Sequence, residues 1–364
     1  SVHPKGWAPG VVEEGDTAEA VSLPVPGDEP TPSNDDLIRG WDMDPEVWEI
    51  VGEVNVRRWQ RYDMEWLRYF KANLRRKLYA VDQPDIDELC EIALRSSHNI
   101  KSVSSGDGKA LVICVNDWQL GKCEQGRGSE ETVARIKSQI DQLPGLLAKM
   151  RPDQVVIANV GDLTERVAGH YPSQSFTVDL DERQQQKLAR RLLFSVVDTI
   201  ASYVDDVLVV AVPCNHGENR NGAGKAQTTA SDNLSLTLIE NIEEICSVNP
   251  ERFDHVKFEY APNLVHVTDV QGITIGVTHG HQFPSSKNSM GTITNWWRDQ
   301  IMGMQPVAAA HMLLTAHLHH FQISEEPGRT VLLCPANDAG SYWFTSKTGK
   351  ESPPGMVTFG IGLG

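Results

Sequence analysis

The stretch Leu111-Val112-Ile113-Cys114-Val115-Asn116-Asp117-Trp118-Gln119-Leu120 decides the fold that this sequence predicts. A continuous apolar run is typical of a parallel strand that is buried on both faces of its sheet. The run ends abruptly at an acid, and α/β proteins place their chemistry at the carboxyl ends of such strands. We therefore expect Asp117 to lie at a sheet edge among other polar side chains.

Four later stretches have the same form, a short apolar run that breaks into side chains of the types that bind metal ions. They span residues 155–162, 207–216, 273–281 and 312–319. Helical patterns between the first strands give the βαβα order of a parallel sheet. Beyond residue 250 the pattern changes to hairpins, with strands predicted at 256–260, 264–270 and 273–278. We expect these hairpins to form a second sheet packed on the first.

The composition limits the class of protein. No run among the 364 residues approaches the roughly 20 apolar residues of a membrane span. The N-terminus lacks the basic-then-apolar pattern of a secretory signal. The six cysteines include no Cys-x-x-Cys pair, which fits a reduced compartment and excludes a zinc finger. We expect a soluble, cytoplasmic protein without a membrane partner.

The formal net charge of −16 is unevenly distributed along the chain. Residues 1–36 carry eight acids, one base and six prolines, which predicts a flexible tail. Residues 57–77 carry a local charge of +6, and their aromatic residues follow helical spacing: Trp59, Tyr62, Trp66 and Tyr69. We therefore predict a helical basic and aromatic region over 37–100 and a catalytic domain over 101–364.

The basic stretch has two interpretations. Bases interleaved with aromatics suit single-stranded nucleic acid, in which case Arg57, Arg58 and Arg61 would contact phosphates. In the simpler interpretation the aromatics pack onto the catalytic domain and the arginines form its solvated rim. The exposed aromatic content also leaves a homodimer open.

Five short motifs stand at the predicted strand ends: Asp117-Trp118-Gln119, Gly161-Asp162, Cys214-Asn215-His216, His279 and Ala316-His317-Leu318-His319. Their order resembles the calcineurin-like metallophosphoesterases. The pattern of that family is Asp-x-His, Gly-Asp, Gly-Asn-His, a separate His, and Gly-His-x-His. The match covers about residues 110–345, and it implies a four-layer α/β/β/α sandwich, here with a helical N-terminal extension.

The resemblance also implies a role for each matched residue and two divalent metal ions. Asp162 would bridge the ions, Asp117, Gln119 and His319 would hold the first, and Asn215, His279 and His317 the second. His216 would be the general acid. Gln119 replaces the family's His with a neutral oxygen ligand, which weakens the first position or favours Mn²⁺ or Mg²⁺ over softer metals. We expect Mn²⁺, with Mg²⁺, Fe²⁺ or Zn²⁺ as alternatives.

Five further residues are candidates for contact with a phosphate or a leaving group. Arg166, His170 and Tyr171 lie in the loop after Asp162, Arg220 follows His216, and His281 is a spare imidazole. Each of them could equally be an ordinary loop residue.

The function implied by the resemblance is hydrolysis of phosphodiester bonds. The motif order is similar to that of the SbcD-type repair exonucleases. The sequence as a whole resembles phosphoesterases of actinobacterial phages, which would act in the host cytoplasm. We therefore expect a DNA nuclease or exonuclease with DNA as its partner. Two alternatives stay open: a phosphatase or phosphodiesterase for a nucleotide or phosphoprotein, and a catalytically degenerate scaffold that binds nucleic acid or protein.

Overall fold

The computed structural model divides the chain into two units. The first contains Ser1–Asp82 and Tyr171–Thr177, and the second contains Gln83–His170 and Val178–Gly364. This division differs from the predicted boundaries after residues 36 and 100. The described residues are 7–14, 17–61, 63–77, 83–94, 102–124, 127–172, 174–221, 224–284, 288–338, 340 and 352–362.

The first unit is built on an antiparallel sheet. Its elements are β1 (Gly10–Glu14), β2 (Thr17–Val21), β3 (Val25–Pro26), α1 (Asn34–Gly40), β4 (Trp48–Gln60) and β5 (Trp66–Arg76). The strand order is β1-β2-β5-β3, and β4 also pairs with β5. Phe70, Ala72 and Leu74 are the inward residues of β5, and they form a small core together with Trp48.

The prediction of a helix through residues 57–77 was wrong. These residues lie on the β4–β5 hairpin, where Arg57 is opposite Tyr69 and Trp59 is opposite Leu67. The ring centroids of Trp59 and Tyr69 are 6.0 Å apart, a diagonal contact between the two strands. The aromatic residues therefore meet because a turn brings two strands side by side, and their helical spacing in the sequence does not reflect a helix. Tyr62, the fourth aromatic residue of the predicted face, lies outside the described residues.

The prediction of a flexible tail over residues 1–36 was wrong for residues 10–14, 17–21 and 25–26, which form strands. Glu19 on β2 pairs with Lys71 on β5 at 2.6 Å, and Glu13 lies 4.0 Å from Arg76. Acidic strands therefore lie in the same sheet as the basic strand β5, and opposite charges across strands stabilise that arrangement. Composition alone did not reveal this, because the compensating charge lies about 50 residues further along the chain.

The second unit contains two sheets and most of the helices. Up to residue 260 its elements are α2 (Ile86–Leu94), β6 (Ala110–Asn116), α3 (Ser129–Met150), β7 (Gln154–Gly161), α4 (Glu182–Ala201), β8 (Val207–Ala211), α5 (Leu234–Ser247), α6 (Pro250–Phe253) and β9 (Val256–Tyr260). The remainder are β10 (Val265–Val270), β11 (Ile273–Thr278), α7 (Ser289–Met302), β12 (Met312–Thr315), β13 (Gln322–Glu326), β14 (Arg329–Leu333) and β15 (Thr358–Ile361). None of the helices in the described ranges is long and apolar enough to cross a bilayer.

The first sheet has the order β15-β6-β7-β8-β9, and the second has the order β10-β11-β12-β14-β13. Strands β6 to β9 are parallel, and β15 pairs antiparallel with β6. Strand β9 was predicted to start the hairpins of the second sheet. It instead pairs parallel with β8, because helices α5 and α6 return the chain to the edge of the first sheet.

Strand β6 is buried on both faces, which explains its unbroken apolar run. Leu111, Ile113 and Val115 pack with the helices of the first sheet, while Val112 and Cys114 pack between the two sheets. Helix α7 covers the outer face of the second sheet through a separate cluster. The layers are therefore helix, sheet, sheet and helix, and the predicted α/β/β/α sandwich is confirmed.

Replacement of Ile113 by Ala is expected to lower the free energy of unfolding by about 2–5 kcal/mol, because it leaves a cavity in a filled core. Ile323→Ala is the matched control, since Ile323 lies on β13 with 61% of its surface exposed; its effect should be within about 0.5 kcal/mol. Urea unfolding followed by circular dichroism measures both changes. Equal losses of unfolding free energy in the two variants would contradict the burial of β6 on both faces.

Candidate metal centre

Strand ends of both sheets meet at one place. Asp162 follows β7 of the first sheet and His279 follows β11 of the second, and Asp162 Oδ2 lies 3.0 Å from His279 Nε2. Asp117 follows β6, and its Oδ2 accepts a hydrogen bond from the backbone N–H of His317 at 3.2 Å, after β12. The structure therefore brings together polar residues that are up to 200 positions apart in sequence.

The backbone at these strand ends is strained. Non-glycine residues rarely adopt a positive φ, and each such residue costs about 1–3 kcal/mol unless its surroundings hold it in place. Five of the seven predicted ligands have one: Asp117 (44°), Gln119 (40°), Asp162 (54°), His317 (70°) and His319 (57°). Strain concentrated in this way is characteristic of functional sites.

Asp162, His279 and His317 form a cluster in which all the ligating atoms lie within 4.8 Å of one another. The Nδ1 of His279 lies 2.7 Å from the carbonyl oxygen of Val160, so Nδ1 carries the hydrogen and Nε2 is directed inward. Asn215 Oδ1 lies 2.8 Å from the same Nε2. The contact of Asp162 Oδ2 with this nitrogen lacks hydrogen-bond alignment. Carboxylate oxygen, amide oxygen and imidazole nitrogen therefore converge at one point, and these are atom types that bind divalent cations.

The electrostatics distinguish the two imidazoles of this cluster. Burial disfavours charge on both rings, but the carboxylate of Asp162 outweighs burial at His279 and raises its pKa to about 9. Burial and the neighbouring His279 lower the pKa of His317 to about 3. Burial also opposes ionisation of Asp162, yet His279 and His216 hold the pKa of Asp162 well below its usual range. At neutral pH His279 therefore carries a proton that a divalent ion would displace.

The position predicted for the first metal ion contains a lysine. Lys122 Nζ donates a hydrogen bond to Gln119 Oε1 at 3.1 Å and forms an ion pair with Asp338. Asp338 Oδ2 in turn lies 3.3 Å from His319 Nδ1, and His319 Nε2 lies 3.5 Å from Asp117 Oδ1. Gln119 Oε1, which was expected to bind a metal ion, thus accepts a hydrogen bond from an ammonium group. The side chains at this first position therefore do not fit a divalent ion in addition to the one beside Asp162.

Lys122 and Asp338 were both missed from the sequence. Asp338 could have been found, because residues 331–338 form another apolar run that breaks into polar side chains after a strand. Lys122 belongs to no motif, and only the path of the loop after β6 brings its side chain to Gln119. Asn116 was also missed; its side-chain amide donates to Asp117 Oδ2 and to the carbonyl of Pro335, both at 2.8 Å.

His216 is held with one ring nitrogen directed at the centre. Its Nδ1 lies 2.7 Å from the carbonyl oxygen of Glu165, and its backbone N–H donates to Asp162 Oδ1 at 3.0 Å. The ring of His170 stacks on it, with centroids 4.2 Å apart and planes 7° from parallel. The Nε2 atom of His216 is left 4.0 Å from Asp162 Oδ2. This geometry suits a proton donor placed beside a bound phosphate.

Three of the remaining candidates for substrate contact lie close to glutamate carboxylates. Arg166 Nε lies 2.8 Å from Glu182 Oε1, and Arg220 pairs with Glu218 at 2.8 Å. His281 Nε2 lies 3.6 Å from the same glutamate, Glu218. Burial and His279 lower the pKa of His281 to about 4, so its ring is neutral near pH 7. The two arginines therefore bring little net positive charge to these loops.

The other candidates belong to the first unit. Tyr171 lies in the segment that groups with it, and Arg57 and Arg58 are exposed residues of β4. Within the residues that the structure describes, these two arginines form no ion pair, whereas Arg61 pairs with Asp63 at 3.0 Å. Other bases of the stretch are paired or buried: Lys71 with Glu19, Arg75 with Glu49, Arg76 near Glu13, and Arg68 in the interior. Much of the predicted positive charge is thus neutralised within the sheet.

A two-sheet α/β/β/α sandwich with carboxylates, an amide and imidazoles at its strand ends is the architecture of the calcineurin-like metallophosphoesterases. The resemblance predicted from the motifs is therefore confirmed at the level of the fold.

The sequence identity between this chain and known proteins of similar structure is low. Vps29 from Entamoeba histolytica, complexed with zinc, is 13% identical with a TM-score of 0.29, over 68% of this chain and 84% of that one. A predicted phosphoesterase from Streptococcus pneumoniae is 13% identical with a TM-score of 0.27, over 70% and 83%. An archaeal phosphodiesterase is 10% identical with a TM-score of 0.30, over 70% and 99%. No family model and no curated protein matches the chain. Similarity at this level assigns no function.

The affinity for Mn²⁺ is expected to rise about tenfold per pH unit between about pH 6 and 8 and to level off above about pH 9. The reason is that the ion must displace the proton that His279 binds with a pKa of about 9. Calorimetric titration with Mn²⁺ across this range measures the slope. His281→Ala is the matched control and should keep the slope, since that ring is already neutral. A flat profile in the wild type would show that His279 is not a ligand.

Proposed function

We propose that the protein is a divalent-metal-dependent phosphodiesterase. The observation that carries this proposal is the buried convergence of Asp162, His279 and His317, with Asn215 beside them. A divalent ion held by these residues, with Mn²⁺ as our choice, supplies charge neutralisation for the phosphate and activation of water. The side chains around the ion would fix its position and exclude bulk solvent, because Asp162 and His279 are fully buried.

His216 is proposed as the general acid. Glu165 anchors its Nδ1 and His170 covers one face of the ring, so Nε2 is the ring nitrogen through which a proton would pass to the leaving group. The expelled group in hydrolysis of a natural phosphodiester is an alkoxide, which needs a proton as its bond to phosphorus breaks. A positioned acid contributes about 10²–10⁴-fold to such a step.

The charges around the centre favour a diester over a monoester. A phosphodiester carries one negative charge, whereas a terminal phosphate carries nearly two near neutral pH. Arg166 and Arg220, the cations of the neighbouring loops, are each paired with a glutamate. A substrate with the lower charge is therefore the better match, and this argues against the alternative of a phosphatase.

DNA is the diester that we propose as substrate. Arg57 and Arg58 offer exposed guanidinium groups to a phosphate backbone, although most other bases of the stretch are neutralised. The net charge of −16 limits such contact to a local patch.

The catalytic proposal is tested with two diesters that differ in their leaving group. With Mn²⁺ present, the wild type should hydrolyse bis(p-nitrophenyl) phosphate at least about tenfold faster than p-nitrophenyl phosphate, and should also cleave a dinucleotide. His216→Gln should lower kcat by about 10²–10⁴-fold on the dinucleotide and much less on the nitrophenyl diester, whose leaving group needs no proton. Equal losses on both diesters would remove His216 as the acid. No turnover of any ester would favour the degenerate scaffold.

The nucleic-acid proposal predicts a change in salt dependence. Replacement of both Arg57 and Arg58 by Gln should reduce the slope of log affinity for single-stranded DNA against log salt by about 1.4, because two phosphate contacts are lost. Arg75→Gln is the matched control, since Arg75 is already paired with Glu49 at 2.6 Å. Fluorescence anisotropy with a labelled oligonucleotide measures the slope. An unchanged slope in the double variant would remove β4 from the interface.

A further inference from the structure

Lys122 is a buried lysine beside the residues that were predicted to hold a first metal ion. Only 9% of its surface is exposed, and a lysine is almost never buried unless it is paired. Its ammonium group contacts Gln119 Oε1 and the carboxylate of Asp338. Although burial opposes the charge, Asp338 and Glu165 raise the pKa of Lys122, so the group remains an ammonium ion.

Lys122 also determines which end of the Gln119 amide faces the centre. The oxygen accepts from the ammonium group, so Nε2 is turned toward His216 Nε2, at 3.4 Å. An amide nitrogen bears two hydrogens and is a donor, so it offers no electron pair to a metal ion. Gln119 could serve as an oxygen ligand only if its amide turned over and Lys122 moved away.

Of the other predicted ligands of the first ion, Asp117 offers one buried oxygen without a hydrogen-bond donor in the described part of the chain, Oδ1, and His319 offers one nitrogen, Nε2. Asp117 Oδ1 and His319 Nε2 lie 3.5 Å apart, but His319 Nδ1 is directed at Asp338, the partner of Lys122. Among the described residues, a single group of three or more His, Cys, Asp or Glu side chains has its ligating atoms within 4.8 Å of one another, and that group lies at the second position.

We propose that the ammonium group of Lys122 takes the place of the first divalent ion, so that the centre holds one metal ion, beside Asp162, Asn215, His279 and His317. This inference rests on the proposed function, because it concerns the same site. A tethered ammonium supplies positive charge that does not dissociate, and it leaves the ligands of the second position unchanged. The lower total charge of one divalent ion and one ammonium also suits a singly charged diester.

The test is the number of Mn²⁺ ions bound by the full chain, measured by equilibrium dialysis and by electron paramagnetic resonance. The wild type should bind about one ion with the spectrum of isolated Mn²⁺. Lys122→Met combined with Gln119→His should bind a second ion, and exchange coupling should broaden the spectrum. Gln119→His alone should still bind one, because the ammonium remains. Lys257→Met is the matched control, since that lysine is 71% exposed in its side chain, and it should also bind one.

The outcomes separate this inference from the function on which it rests. Two ions in the wild type, or two in Gln119→His alone, would overturn the role of Lys122 and leave the phosphodiesterase proposal standing. No ion in the wild type would overturn both. If the double variant fails to fold, the wild type and Gln119→His still decide the question, because neither of them loses the buried lysine.

Discussion

Two carboxylates, Asp117 and Asp162, are buried where the two sheets meet, and the rest of the site depends on balancing their charge. Burial by itself favours the protonated acid. At Asp162 the imidazoles of His279 and His216 outweigh burial, whereas at Asp117 burial prevails and raises the pKa. The ammonium group of Lys122 is paired with a third carboxylate, Asp338, which also contacts His319.

Apolar clusters on both faces of the first sheet stabilise this arrangement. The left-handed backbones of Asp117, Asp162 and His317 are unfavourable locally, and each persists because the strand before it is fixed. Strand β6 is fixed on both faces, and Asn116 ties Asp117 to the carbonyl of Pro335. Gly161 shows how little room remains, because a Cβ there would lie 2.5 Å from that of Cys214.

The sequence predicted the features that depend on local pattern and failed on those that depend on distant partners. The apolar run of β6 has one physical explanation, burial on both faces, and it led to the correct sandwich. The aromatic spacing at Trp59 and Tyr69 has two, a helix face or a hairpin, and only the pairing with residues about 10 positions away distinguishes them. Lys122 illustrates the same limit, because its neighbour Asp338 is 216 residues distant.

Anomalous diffraction from crystals grown with Mn²⁺ would count the divalent ions at the centre and show whether Lys122 occupies the place of one of them. We expect a single anomalous peak about 2.0–2.3 Å from oxygen of Asp162 and from nitrogen of His279 and His317, with Lys122 still bound to Gln119. A second peak beside Asp117, with Lys122 displaced, would contradict this expectation.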